Sequence, residues 1–305
     1  MSVCNTIMNK SKRVDPARSS NNRISCPNQH FIVTMESTVK EWIKAAVKRK
    51  VKSLDIMFYP GSMTENITMP VCLMTCDSLE VLRLFLYRCT LHMPNHTGFR
   101  ALKVLELNHI HCYDFDLPKQ FIKMCPLLEE LSLVECSRRL INVPARISSP
   151  KLKILILRNW EKNRFGYKEY CSGIKIDCPE LVLLEYVGPI GAFCLNTLDN
   201  LKKAVILPED KMKQKISYRR GDDICETLAG MSHVESLSIN LYFIQCVAAH
   251  DPNGSFPASF PNLKTLELTT TTDAFTMNFL IRILRCSPNL ESLHLIIEKA
   301  LLTYE

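Results

Sequence analysis

One pattern restricts this chain's possible folds more than any other. L-x-x-L-x-L, with Val, Ile, Ala or Tyr accepted in place of Leu, occurs ten times. It runs through Val51/Leu54/Ile56, Leu79/Leu82/Leu84, Leu102/Leu105/Leu107, Leu128/Leu131/Leu133 and Leu152/Leu155/Leu157. It continues through Leu181/Leu184/Tyr186, Leu201/Ala204/Ile206, Val234/Leu237/Ile239, Leu263/Leu266/Leu268 and Leu290/Leu293/Leu295. First positions are 28, 23, 26, 24, 29, 20, 33, 29 and 27 residues apart.

The closing L-x-L of each copy has strand periodicity, so its two leucines enter a core and the residue between them faces out. The residue three earlier enters the same core from the turn before the strand. Apolar residues at three-to-four spacing precede several copies: Val39/Ile43/Val47, Phe121/Met124, Ile224/Leu228 and Met277/Ile281/Leu284. These predict helices, with Asp273 and Asp222 or Asp223 as N-caps. Prolines 126, 179, 261 and 288 then stop the chain just ahead of a strand. No single unit can hide its leucine face, so units must stack. The expected fold is an α/β leucine-rich-repeat solenoid, right-handed, with a curved parallel sheet on its concave face and helices or irregular arcs on its convex face. A doubly wound α/β domain also alternates helices and strands, but it needs glycine turns and would not repeat one leucine template. The chain has only nine glycines among 305 residues.

The net charge of +7 is concentrated at the front. Residues 1–60 hold eleven Lys/Arg and four acids, which leaves 27 basic and 27 acidic residues in the remainder. A neutral body behind a basic front does not suit a duplex nucleic acid footprint. The first residues lack the apolar core of a secretory signal, and no run reaches a membrane span of about 18 residues. The fourteen cysteines are therefore expected as reduced thiols in the cytoplasm or nucleus. Cys125, Cys178 and Cys286, each near a proline ahead of a strand, read as small buried hydrophobes.

Signatures of catalysis are absent: no G-x-S-x-G, H-E-x-x-H, G-x-x-x-x-G-K-[ST] or G-x-G-x-x-G occurs. The expectation is no catalytic, cofactor or metal residue. His109-Ile110-His111-Cys112 offers three zinc ligand types but no nearby fourth, so it reads as a polar loop after the third strand. Cys72 and Cys76 stand alone as a pair and read as packing residues. Lys211, Lys213, Lys215, Arg219 and Arg220 crowd into the longest gap between copies and read as a surface loop able to meet an acidic partner or a phosphate.

The run Val39-Lys40-Glu41-Trp42-Ile43-Lys44-Ala45-Ala46-Val47-Lys48-Arg49-Lys50-Val51, followed by Leu54-Asp55-Ile56, resembles the opening of the repeats in plant F-box/LRR and F-box/FBD/LRR proteins. Cys125-Pro126-Leu127-Leu128-Glu129-Glu130-Leu131 and Cys286-Ser287-Pro288-Asn289-Leu290-Glu291-Ser292-Leu293 are similar to that family's recurrent C-P-x-L-E-x-L. The resemblance implies repeats that recruit a protein substrate, while an F-box docks on the Skp adaptor of a cullin–RING ubiquitin ligase. It also implies an anion role for the basic stretch, since some related receptors hold inositol phosphates. Residues 1–35 are polar and carry no F-box pattern, so they are expected as a flexible tail ahead of a solenoid over 36–300 and a short end at 301–305. Two roles follow: a receptor-like module that meets Skp and cullin only where an F-box is supplied, or a free-standing binder of the same kind of partner.

The pleat fixes which side chains would face a partner. They are Asp55, Arg83, Glu106, Ser132, Ile156, Glu185, Val205, Ser238, Glu267 and His294, extended by Phe85, Asn108, Val134, Arg158, Asn240 and Thr269 after the strands. Acids, bases and aliphatics alternate among them, a mixture suited to a protein or peptide rather than to a polyanion or a membrane.

Overall fold

The structure, a computed structural model, describes residues 35–59, 66–94, 98–112, 117–138, 145–158, 174–189, 193–195, 198–209, 218–250 and 258–298. The front tail, Lys211, Lys213, Lys215 and the end at 301–305 lie outside these residues. Helices are α1 (Met35–Lys48), α2 (Val71–Met74), α3 (Leu117–Met124), α4 (Tyr218–Gly230), α5 (Leu241–His250) and α6 (Ala274–Arg285). Strands are β1 (Ser53–Phe58), β2 (Asn66–Thr68), β3 (Val81–His92), β4 (Val104–Cys112), β5 (Glu130–Val134), β6 (Ser137–Arg138), β7 (Ala145–Ser148) and β8 (Ile154–Arg158). They continue with β9 (Ile174–Asp177), β10 (Leu183–Pro189), β11 (Phe193–Leu195), β12 (Lys203–Glu209), β13 (Ser236–Ile239), β14 (Thr265–Thr270) and β15 (Ser292–Ile297).

Each of the ten leucine motifs forms one strand of a single sheet, ordered β1-β3-β4-β5-β8-β10-β12-β13-β14-β15. Every pairing along that path is parallel and follows chain order. A doubly wound sheet would reverse its strand order partway; this one does not. The leucine positions of the second to ninth copies form one continuous core. Leu105, Leu131, Leu155, Leu184, Leu237 and Leu266 are all fully buried. In the sixth and seventh copies, Tyr186 and Ala204 take leucine positions, and both are fully buried. The register sets Ala204 beside Leu184 and Tyr186 beside Ile206, so a large and a small residue share two adjacent layers.

The opposite layer changes character along the chain. Helices back the front and rear repeats, but β7, β9 and β11 form a second parallel sheet, ordered β11-β9-β7, behind the middle ones. Ile147, Ile174 and Ile176 from this sheet are buried. At the front, α1 buries Val39 and Ile43 and leaves Trp42 exposed.

Several expectations need correction. Asp273 does cap α6, its carboxylate accepting from the N–H groups of Phe275 (2.9 Å) and Thr276 (3.0 Å). Asp222 and Asp223 do not stand at an N-cap position: α4 begins at Tyr218, so both fall inside it, and Arg219 and Arg220 lie in its first turn rather than in a loop. The face of α6 also differs, since Thr276, Phe279 and Ile283 are buried while Met277 and Ile281 point outward. Two apolar stripes compete on this helix, and the stripe in phase with the Asp273 cap packs inward. His109-Ile110-His111-Cys112 is not a loop but the last part of β4. Helix α5 was not expected at all.

Two ladders along the strand starts hold the stack. In the first, the N–H of the residue after each leading leucine donates to the corresponding carbonyl one repeat earlier. It runs unbroken from Glu80 to Lys52 (2.8 Å) through to Glu291 to Lys264 (2.9 Å). The side chains at these positions alternate in sign: Lys52, Glu80, Lys103, Glu129, Lys153, then Val182, then Lys202, Glu235, Lys264, Glu291. Glu80 therefore meets both Lys52 (3.4 Å) and Lys103 (2.9 Å), Lys153 meets Glu129 (2.8 Å), and Lys264 meets Glu235 (3.2 Å). Exposed pairs are individually weak, so the ladder acts mainly on register, because a slipped repeat would oppose like charges.

The second ladder serves the rear repeats. The residue before the leading leucine reaches back one repeat: Asn200 Nδ2 donates to the Pro179 carbonyl (2.8 Å), His233 Nε2 to Leu198 (2.8 Å), Asn262 Nδ2 to His233 (3.3 Å) and Asn289 Nδ2 to Pro261 (2.7 Å).

The hydrogen bonds from lysines 103 and 153 hold the Glu80 and Glu129 carboxyls below the ordinary value of 4.5. At Asp273, burial pushes the carboxyl up, but hydrogen bonds from Thr271, Thr276 and Phe275 outweigh it and leave the group below 3.8. A carboxylate with a depressed folded pKa adds stability that is present above its unfolded pKa and lost as pH falls through the folded one. The urea midpoint is therefore expected to hold from about pH 7 to about pH 5 and to drop steadily toward about pH 3. A Glu80→Gln, Glu129→Gln, Asp273→Asn triple variant should show a shallower drop, and an equal one would refute the assignment.

Burial pushes the Cys125 and Cys136 thiols up to about 12 and Cys178 up to about 11. Cys72 and Cys286 are half-buried. At neutral pH, iodoacetamide is expected to label Cys72 and Cys286 at least about tenfold faster than these three, because the thiolate is the reacting form. Peptide mapping by mass spectrometry reads that order directly.

Candidate functional site

The outward residues inferred from the pleat form one row without a slip. Asp55 stands opposite Arg83, Arg83 opposite Glu106, Glu106 opposite Ser132, and Ser132 opposite Ile156. The row continues through Glu185, Val205, Ser238 and Glu267 to His294. This single register arises because every copy places its strand at the same offset from its leading leucine. Asp55, Glu267 and His294 are exposed and most of the others half-exposed. Ser238 is the exception at 8 % exposed, on a strand of only four residues that α5 follows at once.

A second row, one pleat further on, brings Met57, Phe85, Asn108, Val134, Arg158, Val187 and Leu207 together in the same way. Thr269 and Ile296 continue it at the rear. Asn240 is occupied as a cap: its Oδ1 accepts from the Phe243 N–H (3.1 Å) and its Nδ2 donates to the Pro208 carbonyl (2.7 Å). Within the first row, Arg83 Nε pairs with Glu106 (3.0 Å), and from the second row Arg158 Nε pairs with Glu185 in the first.

Sequence reasoning missed the aromatic part of this wall. Tyr59, just past β1, packs on Phe85 with ring centroids 5.0 Å apart and lies 6.1 Å from Tyr87. Phe85 and Tyr87 stand parallel, 6° apart in plane and 6.5 Å between centroids. His109 closes the group at 4.8 Å from Phe85 and 5.6 Å from Tyr87. The cause is a bulge. The β3/β4 register shifts between Phe85 and Cys89, and His109 adopts a left-handed backbone with φ of 57°. That turn carries its imidazole beside the rings instead of into the next core layer. The available signal was the alternation Met57, Tyr59 and Phe85, Tyr87, large side chains at period two past the ends of the leucine motifs.

No group of three or more His, Cys, Asp or Glu among the described residues could hold a metal ion. Among the same residues, the groove along the strand starts of the rear repeats is walled by Asn200, His233, Asn262 and Asn289, whose side chains are engaged in stacking. The arrangement is a leucine-rich-repeat solenoid whose ordered feature is a long strand wall. The chain belongs to the plant F-box/FBD/LRR-like family: the family model described as At1g61320/AtMIF1, LRR domain, matches residues 22–305. It is similar to F-box/FBD/LRR-repeat protein At5g56420 of Arabidopsis thaliana, 28% identical over 265 residues that cover 86% of this chain and 56% of that protein. FBD-associated F-box protein At5g56380 of the same plant is 24% identical over 261 residues, covering 83% and 55%. F-box/FBD/LRR-repeat protein At5g22660, also from Arabidopsis thaliana, is 29% identical over 230 residues, covering 72% and 50%. The chain thus spans about half the length of the curated relatives it matches.

Proposed function

We propose that this chain is the substrate-holding part of a receptor for a cullin–RING ubiquitin ligase. In this reading its strand wall grips a protein or peptide and supplies no chemistry of its own. One observation carries the reading: ten outward side chains, drawn from ten repeats, align in one unbroken register across the sheet. An extended row of this kind, mixed in charge and polarity, suits a macromolecular partner, whereas a catalytic site needs a few groups converging on one point. The F-box in the relatives' names supports the link to the Skp adaptor. No helix among the described residues is long and apolar enough to cross a membrane, in keeping with work in the cytoplasm or nucleus. No metal or cofactor is invoked.

The test is affinity purification of the tagged chain from plant cells, followed by mass spectrometry. The receptor role predicts recovery of a Skp adaptor and a cullin together with a further protein, and Ser132→Arg with Val205→Arg should remove only that further protein. Recovery of a wall-dependent partner with no adaptor would instead make the chain a free-standing binder. Recovery that ignores both substitutions would reject the wall as the binding surface.

A further inference from the structure

We propose that the first three repeats carry the anchor point of this wall, a site that receives an arginine side chain from an extended partner segment. The inference rests on the reading of the wall as the partner surface and specifies the partner's chemistry. Two observations converge on it.

The first is the ring platform. Phe85 and Tyr87 stand at its centre, and Tyr59 and His109 each pack against both, with centroids 4.8–6.5 Å apart in these contacts. They come from three neighbouring strands or strand ends, so they form a continuous surface rather than isolated contacts. Tyr59 is 59 % exposed and the adjoining Met57 62 %, a large apolar area left facing solvent next to polar groups. Elsewhere among the described residues the outward rows offer small, aliphatic, amide or charged side chains and the imidazole of His294, but no Phe, Tyr or Trp.

The second is charge. The first outward row has four carboxylates, Asp55, Glu106, Glu185 and Glu267, against the single base Arg83. Glu106 is engaged by Arg83 and Glu185 by Arg158. Asp55 and Glu267 have no ion-pair partner among the described residues, and Asp55 lies on the strand that leads into Tyr59. Residues two apart on one strand face are about 7 Å apart, so the Asp55 row runs just below Met57 and Phe85, with Tyr59 and Tyr87 one step beyond. A cationic side chain lying over Phe85, the ring nearest the Asp55 row, can therefore turn its donors toward Asp55 while its stem runs along Tyr59 and Tyr87. Arginine fits better than lysine, because a planar guanidinium stacks flat on aromatic faces and still presents donors along its edge. Arg83 already occupies such a place, between Asp55 and Glu106 and directly below Phe85. An acidic segment would meet uncompensated Asp55, and a nucleic acid strand would meet a wall with more carboxylates than bases.

The experiment pans a phage library of random linear peptides of about twelve residues against the full chain, then measures a selected peptide by fluorescence anisotropy. The expected result is enrichment of arginine beside an aliphatic or aromatic residue. Tyr87→Ala, Tyr59→Ala and Asp55→Asn should each weaken binding about tenfold or more, and Glu267→Gln at the far end less than about twofold. Within the peptide, Arg→Ala should abolish binding and Arg→Lys weaken it. Tyr59 is exposed, so its loss is not expected to disturb folding, and unchanged urea midpoints check this for each variant. Selection of peptides without arginine, or binding that ignores Tyr59 and Tyr87 but is lost with Ser132→Arg, overturns the anchor while the wall reading stands. Binding that ignores every wall substitution overturns both. Failure to select any peptide overturns the proposal of a short arginine-bearing segment.

Discussion

Leu131→Ala is expected to lower the unfolding free energy by about 2–5 kcal/mol, while the same truncation at Leu293 should cost less than about 1.5 kcal/mol. Both residues hold the same place in their motifs, the first leucine of L-x-L, so chemistry and local backbone are matched. They differ in what covers them. Leu131 is fully buried, with β4 on one side and β8 on the other, whereas Leu293 on β15 is 39 % exposed and pairs only with β14 among the described strands. Removing three carbons from Leu131 leaves a cavity that the flanking Leu105 and Leu155 layers cannot fill without shifting. Stability in a stack is a sum of repeats and the interfaces between neighbours, so damage in the middle weakens two interfaces and damage at β15 only one. Urea unfolding followed by circular dichroism gives both numbers. For Leu131→Ala the transition should also broaden as the halves on either side lose their coupling. Equal losses at the two positions would mean that the leucine layers are not stacked in this order.

Gly98→Ala should be nearly as damaging for a different reason. A Cβ at this position would lie 2.6 Å from the carbonyl oxygen of Met124 and 3.4 Å from its carbonyl carbon and Cα. These are backbone atoms at the end of α3, so no rotamer change relieves the clash and either the helix end or the Gly98 loop must move. Overpacking of this kind costs about 1–3 kcal/mol. The neighbouring core should register it as well, since Phe99 and Phe121 are both fully buried beside the contact. Gly230→Ala is the milder comparison: its Cβ would meet the Leu195 Cβ at 3.3 Å and Cδ1 at 3.7 Å, so a shift of a few tenths of an ångström at Leu195 relieves it. Its midpoint is expected to stay within the spread of ordinary surface substitutions, about 0.5 kcal/mol. Reversal of that order would show that Gly98 is not held against α3.

The strand wall could be read from sequence because each leucine motif encodes its own direction. Once Leu131 and Leu133 are assigned to the core, the pleat leaves Ser132 no choice but to face out, and identical offsets in ten copies then produce the register. What lay between the motifs was harder to read. Helix α5, with the sequence LYFIQCVAAH, is apolar almost throughout, so it lacks the three-to-four rhythm that marks a half-buried helix, and it starts directly after β13. The second sheet was missed because β7, β9 and β11 have only three or four residues each, too few to display a period. The aromatic platform depends on the β3/β4 bulge, and the left-handed turn at His109 follows from the mismatch between two strands rather than from any local motif. The asparagine ladder did leave a trace, an Asn or His just before the leading residues Leu201, Val234, Leu263 and Leu290, but its meaning needs the neighbouring repeat's carbonyl in view.

The claim that joins fold to function is that a partner lies across the strand wall and not along the helical back. A photo-crosslinking amino acid placed singly at Ser132, Ile156 or Val205, and at Phe275, Met277 or Ile281 on α6, tests it in plant cells. The account predicts a discrete crosslinked species from the three wall positions and none from the three helix positions. Crosslinks confined to α6, or equal from both faces, would contradict it.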